Sequence, residues 1–184
     1  MSIDQLIATR LQSLRKTQGL SLEQLASNSG VSKAMISKIE RQDSSPSASL
    51  LGRLAASLGV SLAQLLSEDN QQPAPLRPLA LQEVWQDPDI GYLRRQVTAH
   101  EENGGPELVE ITLPAAARVS YPGWSHQAYK QRLWLVEGSL TVDYGTEKYV
   151  LSAGDALTFG VDLPITFSNP GTEPCRYLLV MSDK

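Results

Sequence analysis

The chain has 184 residues, of which 41% are hydrophobic and 20% charged, and its formal net charge is −4, values typical of a soluble globular protein. No apolar run is long enough to span a bilayer and the N-terminus lacks the apolar core of a signal peptide, so we expect a cytoplasmic protein without a membrane partner. The single cysteine, Cys175, excludes an internal disulfide and a cysteine-based zinc cage, and we expect it to fill space in a core.

The first part of the chain predicts short helices. Apolar residues repeat at helical spacing between Ile3 and Leu14, and Gly19 is expected to end this first helix. Two capping boxes, SLEQ at Ser21 and SLAQ at Ser61, open the second helix and the fifth. In each box the serine hydroxyl accepts a hydrogen bond from a free backbone amide, and the glutamine side chain bonds back to the start of the helix.

Two further helices are expected between these. Ser32 is positioned to cap the third helix, which runs to about Arg41. Ser45 is the expected cap of the fourth helix, with Pro46 at the first helical position, where its missing N–H is not needed. Gly59 is expected to end the fourth helix. This part of the chain therefore predicts an all-α domain of five helices.

A linker is expected to divide the chain. Residues 69–80 contain three prolines, which disfavour a regular element, so we place the linker between a helical domain at 1–68 and a second domain at 81–184. The second domain contains short runs rich in Val, Ile, Tyr, Thr and Phe, most of them separated by Gly, Pro, Asn or Asp. These runs are YLRRQVT, ELVEITL, ARVSY, KQRLWLV, SLTVDYG, KYVLS, ALTFG, PITFS and RYLLVM. The pattern predicts an all-β sandwich or barrel.

Charge is distributed unevenly between these domains. Residues 1–68 carry seven Lys or Arg against five Asp or Glu, whereas residues 69–184 carry nine against fifteen. A mildly basic domain joined to an acidic one favours nucleic acid as a partner of the basic domain.

The third predicted helix has two distinct faces. Met35, Ile36 and Ile39 lie on one side of the helical wheel. The opposite side carries the basic and small residues Lys33, Ala34, Ser37, Lys38 and Arg41. Any surface helix is polar on its outer side, so this face alone does not decide the function. The order of a short capped helix, a glycine turn and a second short helix favours a helix-turn-helix that enters the major groove of DNA.

The segments LSLEQLA, GVSKAMISKIER and PSASLLGRLAASLGVSL resemble, in order and spacing, the DNA-binding domain of the XRE family of phage-repressor-like regulators. The resemblance covers about residues 6–66 and implies that the third helix lies in the major groove of double-stranded operator DNA. It implies that bases or phosphates are contacted by Ser32, Lys33, Ala34, Ser37, Lys38 and Arg41. Two residues depart from the family pattern: Leu22 replaces a phosphate-binding glutamine of many members, and Gln42 replaces a glycine that commonly ends the third helix.

The segments WLVEGSLTVDYG, LSAGDALTFGVDLPITFSN and RYLLVM resemble a cupin, a jelly-roll β-barrel, over roughly residues 81–184. Cupins typically hold a divalent metal with two histidines, a glutamate and a third histidine. The resemblance puts the glutamate position on Gln131, the last histidine position on Ile165, and the histidine pair on Trp124 and His126 or on Ser125 and Gln127. Because this set is too poor in ligands for a transition metal, we expect no metal, no other cofactor and no enzymatic activity.

Strand alternation places Gln131 and Leu133 on one face of their strand, and Ile165 and Phe167 on one face of another. If Gln131 points inward, as the cupin resemblance implies, these residues and His126 form an apolar pocket with two polar points for a small-molecule effector. A packed core without a ligand is the alternative.

For two pairs of residues in this domain, strand alternation predicts whether the side chains point outward or inward. Trp134 and Val136 would point outward and form an apolar surface on which two copies pair as a homodimer. Only one of Arg94 and Arg95 can point inward, where it could hold a ligand carboxylate, and we expect both to be solvated.

The pattern as a whole predicts a sequence-specific DNA-binding regulator of transcription, a repressor, whose metal-free cupin domain dimerises and senses a small metabolite. Two alternatives remain at this point: a constitutive DNA-binding protein whose β domain only dimerises, and a cupin enzyme fused to a DNA-binding domain.

Overall fold

The computed structural model describes residues 2–66, 75–99, 105–124 and 130–182. Residues 2–66, the helical domain, form five helices around buried aliphatic side chains such as Leu11, Leu25 and Ile36. The helices are α1 Ile3–Thr17, α2 Leu22–Ser29, α3 Lys33–Glu40, α4 Ala48–Leu58 and α5 Leu62–Leu66. The predicted five-helix domain is confirmed.

The expected helix ends are formed by the predicted residues in most cases. Ser21 and Gln24 make both hydrogen bonds of a capping box, and Ser61 and Gln64 make the equivalent pair. The Ser32 hydroxyl accepts a hydrogen bond from the Met35 amide at 3.2 Å. Gly30 and Gly59 follow α2 and α4 with φ values of 65° and 66°, left-handed conformations that favour glycine.

The start of α4 differs from the prediction. The capping position is Ser47 rather than Ser45, and the Ser47 side chain makes no capping hydrogen bond. The Ala48 amide instead donates to Asp87 Oδ2 at 2.6 Å, so a carboxylate from the second domain caps this helix. A cap that comes from 39 residues away along the chain has no local sequence signal, which explains the error.

A buried ion pair fixes α3 against α1. Arg15 Nε and Nη2 donate to the two carboxylate oxygens of Glu40 at 2.6 and 2.8 Å, and Arg15 Nη1 donates to the Leu20 carbonyl at 2.9 Å. Both side chains are at most 10% exposed. The hydrogen bond to Glu40 raises the pKa of Arg15, with burial opposing it. The acidic residue of α3 is therefore turned away from the exposed side of the helix.

The second domain, which we call the β domain, contains ten strands within the described residues. They are β1 Val84–Gln86, β2 Leu93–Gln96, β3 Glu107–Leu113, β4 Arg118–Tyr121, β5 Lys130–Glu137, β6 Ser139–Tyr144, β7 Glu147–Ser152, β8 Ala156–Phe159, β9 Ile165–Ser168 and β10 Cys175–Ser182. One sheet has the order β1-β2-β3-β10-β5-β8 and the other β4-β9-β6-β7, with antiparallel pairing throughout. A β-rich, cupin-like domain is confirmed, although these strands form two separate sheets rather than one closed barrel.

Two short elements were not predicted. Strand β1 has only three residues, too few to show an alternation in sequence. Within the predicted linker, residues 69–74 lie outside the described residues, and Leu79–Leu81 form one turn of 3-10 helix after Pro78. Arg77, just before this turn, pairs with Glu83 and donates to the Gln96 carbonyl at 2.9 Å, so this part of the linker is attached to the β domain.

The two domains pack closely on each other through α4. Gly52 of α4 faces the ring of Tyr121 so closely that an added Cβ would lie 2.5 Å from Tyr121 Cδ1. Asp87 is 3% exposed, and besides the Ala48 amide its carboxylate accepts hydrogen bonds from the amides of Asp89 and Ile90. The turn that follows β1 therefore holds the N-terminus of α4, and the hydrophobic core continues from one domain into the other.

Candidate DNA-binding face and ligand cavity

The residues predicted to contact DNA lie together on the outer side of α3 and at its two ends. Five of them are exposed and Ser37 is half-buried, whereas Ile36 and Ile39 face the core. The exposed residues are Ser32, Lys33, Ala34, Lys38 and Arg41. Because Glu40 is buried against Arg15, the exposed side of α3 itself carries no carboxylate. This arrangement fits insertion into a groove lined by phosphates.

Two of these cations have acidic neighbours outside α3. Lys33 Nζ donates to Glu23 Oε2 of α2 at 2.7 Å, and Arg41 Nε lies 3.0 Å from Asp43 Oδ2. All four side chains are more than half exposed. Such exposed pairs are weak, so both cations remain available to a phosphate or a base.

The two departures from the family pattern have different structural consequences. Leu22 is the first residue of α2 and packs in part against the core, so its side chain supplies no polar contact at this helix end. Gln42, just after α3, takes φ 64°, the left-handed conformation that glycine adopts without strain. Gln42 therefore holds, at some energetic cost, a conformation that a glycine would adopt freely.

A cavity of about 70 Å³ lies in the β domain where it meets the helical domain. Its walls are mainly aromatic and aliphatic, and α4 and α5 contribute Gly52 and Leu62. The aromatic lining residues are Tyr92, Tyr121, Trp124, Phe159, Phe167 and Tyr177. Residues of both domains therefore contribute to the walls of this partly open cavity.

The structure brings together some of the predicted pocket residues. Gln131, Ile165 and Phe167 line this cavity. Leu133 is 1% exposed and belongs to the core, but it does not line the cavity. His126 lies outside the described residues.

The residues at the described cupin metal positions do not fit a transition metal. Gln131 offers a neutral amide and Ile165 offers no donor. Within the described ranges, no group of three or more His, Cys, Asp or Glu side chains is close enough to hold a metal ion. Of the two alternatives for the histidine pair, Trp124 offers no metal-binding nitrogen, whereas its partner His126 and the alternative pair Ser125 and Gln127 lie outside those ranges.

Three tyrosines, Tyr92, Tyr121 and Tyr177, line the cavity. The Tyr121 hydroxyl donates to the Tyr92 hydroxyl at 3.5 Å, and the Tyr177 ring stacks on Phe167 with centroids 5.8 Å apart. Burial is the main cause that raises the pKa of Tyr121 and of Tyr177, and the positive charge of Arg94 opposes the shift at both. Tyr121 and Tyr177 therefore stay neutral at ordinary pH, and Arg94 is close enough to act on both of them.

The expectation that Arg94 and Arg95 are both solvated is wrong for Arg94. Arg94 is 5% exposed and lines the cavity, whereas Arg95 faces outward and pairs with Glu110 at 3.1 Å. Within the described residues, Nε and Nη2 of Arg94 have no hydrogen-bond partner. Strand alternation required that only one of the two point inward, but it did not identify which one.

Two family models match separate parts of the chain. A helix-turn-helix model matches residues 11–65, and a cupin domain model matches residues 109–181. The uncharacterized helix-turn-helix transcriptional regulator y4dJ of Sinorhizobium fredii is 32% identical over 73 residues, which cover 40% of this chain and 95% of that protein. The chain belongs to the helix-turn-helix transcriptional regulators.

The regulator is also similar to proteins that contain both domains. The transcriptional regulator PuuR of Escherichia coli is 29% identical over 177 residues, covering 92% of this chain and 90% of PuuR. A crystal structure of a helix-turn-helix family regulator from Vibrio cholerae superposes with a TM-score of 0.81 at 26% identity, covering 99% and 97% of the two chains. These similarities identify the regulator as a DNA-binding protein that acts on transcription and carries a cupin domain.

One enzyme shares the fold. Hydroxypropylphosphonic acid epoxidase from S. wedmorenis superposes with a TM-score of 0.50 at 17% identity, covering 97% of this chain and 98% of the enzyme. At this identity the likeness concerns the fold only. No helix among the described residues of the regulator has the length and apolar character needed to cross a membrane.

Proposed function

We propose that the regulator is a cytoplasmic, sequence-specific repressor that recognises its operator with α3. The observation that carries this proposal is the exposed, carboxylate-free side of α3, which the buried Arg15–Glu40 pair holds in a fixed orientation. Because this basic helix is already ordered, its insertion into the major groove costs little backbone conformational entropy.

Different residues of α3 are proposed to contact different parts of the DNA. Lys33 and Ala34 begin the helix. We assign them to base edges, Lys33 to guanine acceptors and Ala34 to a thymine methyl. Ser37 and Lys38 lie one turn further on and contact bases or nearby phosphates. Ser32 and Arg41, at the two ends of α3, are assigned to the phosphate backbone.

The DNA-binding assignment is tested on an operator selected by the protein from random duplexes. Lys33→Ala should lower the ratio of operator to non-specific affinity, whereas Arg41→Ala should weaken both affinities and reduce the dependence on salt. Gel shifts across a salt series measure both effects. Lys148→Ala, an exposed lysine of β7, is the control and should leave binding unchanged. An unaltered specificity ratio for Lys33→Ala would contradict the assignment.

We further propose that two copies pair through the outer face of the six-stranded sheet. Trp134 is 49% exposed there, and its strand neighbours Leu178 and Val180 are only half-buried. Pairing a second copy on this face would cover these apolar side chains and carry two α3 helices to a two-fold operator. One helical domain alone makes few DNA contacts, so a dimer strengthens operator binding.

The pairing surface is tested by placing a charge in it. Trp134→Glu should convert a dimer at micromolar concentration to a monomer in light scattering, because a buried aromatic is a frequent hot spot of interfaces. Val150→Glu introduces the same charge at a 73% exposed residue of the other sheet and should remain dimeric. A wild-type monomer under these conditions would rule the dimer out.

Effector sensing is proposed to act through α4. The cavity touches α4 at Gly52, and the N-terminus of the same helix is held by Asp87 of the β domain. A ligand in the cavity that prefers one packing of α4 against the β domain would change the population of DNA-binding arrangements by its difference in affinity between them.

Two measurements separate this function from its alternatives. A ligand that stabilises the fold and alters operator affinity supports sensing, whereas a regulator whose β domain only dimerises would respond to no ligand. Stoichiometric metal in protein purified without a histidine tag would instead support an enzyme.

A further inference from the structure

Arg94 is a buried cation without a counter-ion in the part of the chain that the structure describes. It is 5% exposed, and its Nε and Nη2 atoms are shielded from solvent and lack hydrogen-bond partners. These two atoms lie side by side on the edge of the guanidinium that binds both oxygens of a carboxylate in bidentate arginine pairs. Buried arginines are ordinarily paired, because burial of an uncompensated charge is costly.

Two carboxylates of this region, those of Asp87 and Glu83, are engaged elsewhere. Asp87 accepts hydrogen bonds from three backbone amides, and Glu83 pairs with Arg77. Two further polar groups beside Arg94 on the same inner wall, the Trp85 indole N–H and the Gln96 side-chain amide, also lack partners within the described residues. The inner wall formed by β1 and β2 thus offers several unpaired hydrogen-bond donors, and the unpaired acceptor among them, Gln96 Oε1, is neutral and carries no charge that would compensate Arg94.

The cavity next to Arg94 sets the size and polarity of a matching ligand. Its volume of about 70 Å³ limits the ligand to a small molecule. Away from Arg94 its walls include Phe159, Ile165 and Phe167, which favour an apolar group. A small molecule with one negatively charged end and a short apolar tail matches both parts of the cavity.

We propose that Arg94 binds the carboxylate of the effector, which is a small organic monocarboxylate with a short apolar tail. This proposal rests on the proposed sensing function and names the chemical class of the ligand. The carboxylate accepts hydrogen bonds from Nε and Nη2 of Arg94 after rotation about the flexible torsions of that side chain, and the tail lies among Phe159, Ile165 and Phe167. The carboxylate supplies the negative charge that the surrounding side chains do not.

The experiment compares acids with their uncharged amides on the full-length protein in the absence of DNA. Calorimetric titration and thermal shift with isovalerate and butyrate, against isovaleramide and butyramide, separate charge from shape. Each acid should bind at least about tenfold more tightly than its amide, the ratio expected for a charged hydrogen-bonded pair. Inorganic phosphate serves as an anion without a tail and should bind more weakly than isovalerate.

Adjacent arginines provide the matched variants. Arg94→Met should weaken isovalerate binding at least about tenfold, whereas Arg95→Met, which removes the outward-facing neighbour, should leave it within about twofold. Circular dichroism of Arg94→Met shows whether the variant is folded. If it is not, the acid–amide comparison on the wild-type protein decides the proposal.

Three results would overturn the carboxylate proposal: amides that bind as tightly as the acids, phosphate that binds more tightly than isovalerate, or an absence of acid binding at millimolar concentration. Failure of the sensing function gives a different result. In that case the acids bind with the selectivity described, but gel shifts show unchanged operator affinity when the cavity is filled.

Discussion

Arg15 and Arg94 are both buried arginines, and the two domains hold them in opposite ways. In the helical domain, Arg15 makes a bidentate pair with Glu40 and a further hydrogen bond to a backbone carbonyl. In the β domain, the corresponding guanidinium edge of Arg94 has no partner among the described residues. The first charge is compensated within the chain and stabilises the orientation of α3. The second lacks such compensation within the described residues, and we propose that a ligand carboxylate supplies it.

The largest expected effect follows from breaking the compensated pair. Glu40→Ala leaves Arg15 buried without its carboxylate and should lower the free energy of unfolding of the helical domain by about 3–5 kcal/mol. Urea denaturation followed by circular dichroism measures the loss. Glu23→Ala removes an exposed carboxylate that also pairs with a cation of α3, and it should change stability little. A small effect of Glu40→Ala would show that the pair does not hold α3.

Removal of the uncompensated charge should have the opposite sign. Without ligand, Arg94→Met replaces an unpaired buried guanidinium by an apolar side chain of similar length, so we expect the free energy of unfolding to rise by about 1–3 kcal/mol. Thermal and urea unfolding of the ligand-free variant test this. A destabilised variant would indicate that Arg94 has a structural partner and would remove the contrast with Arg15.

A smaller effect is expected at the end of α3. Gln42→Gly relieves a left-handed backbone conformation and should stabilise the helical domain by about 1 kcal/mol without removing a proposed DNA contact. The same substitution at Gln5, an exposed residue inside α1, should instead destabilise by about 1 kcal/mol. Urea midpoints of the two variants provide the comparison, and equal shifts would exclude the conformational explanation.

A further effect concerns alkaline pH and the β domain. Burial raises the pKa of Cys175 from 9.0 to about 11, so the folded state keeps a neutral thiol where the unfolded chain ionises. This contribution to stability is complete below pH 9 and is lost as the pH rises through about 11. Cys175→Ala should therefore make the loss of stability over this range shallower in urea titrations. An identical pH profile would show that the thiol does not contribute.

Most of the helical domain was predictable because its signals are local. Capping boxes, glycine helix ends and helical periodicity each act within a few residues, and the XRE-like segments identified the exposed side of α3. The start of α4 was the exception, since its cap comes from Asp87 in the other domain. In the β domain, alternation predicted which residues of β5 and β9 face inward, and Leu133, Ile165 and Phe167 are buried as expected.

The sequence by itself determined the five helices, the β-rich character of the second domain and the basic face of α3, because these depend on residues close together along the chain. Tertiary structure alone decided that Arg94 points inward rather than Arg95, that Gly52 of α4 forms part of the cavity wall, and that Asp87 caps α4. These features depend on contacts between distant segments, which local periodicity does not encode.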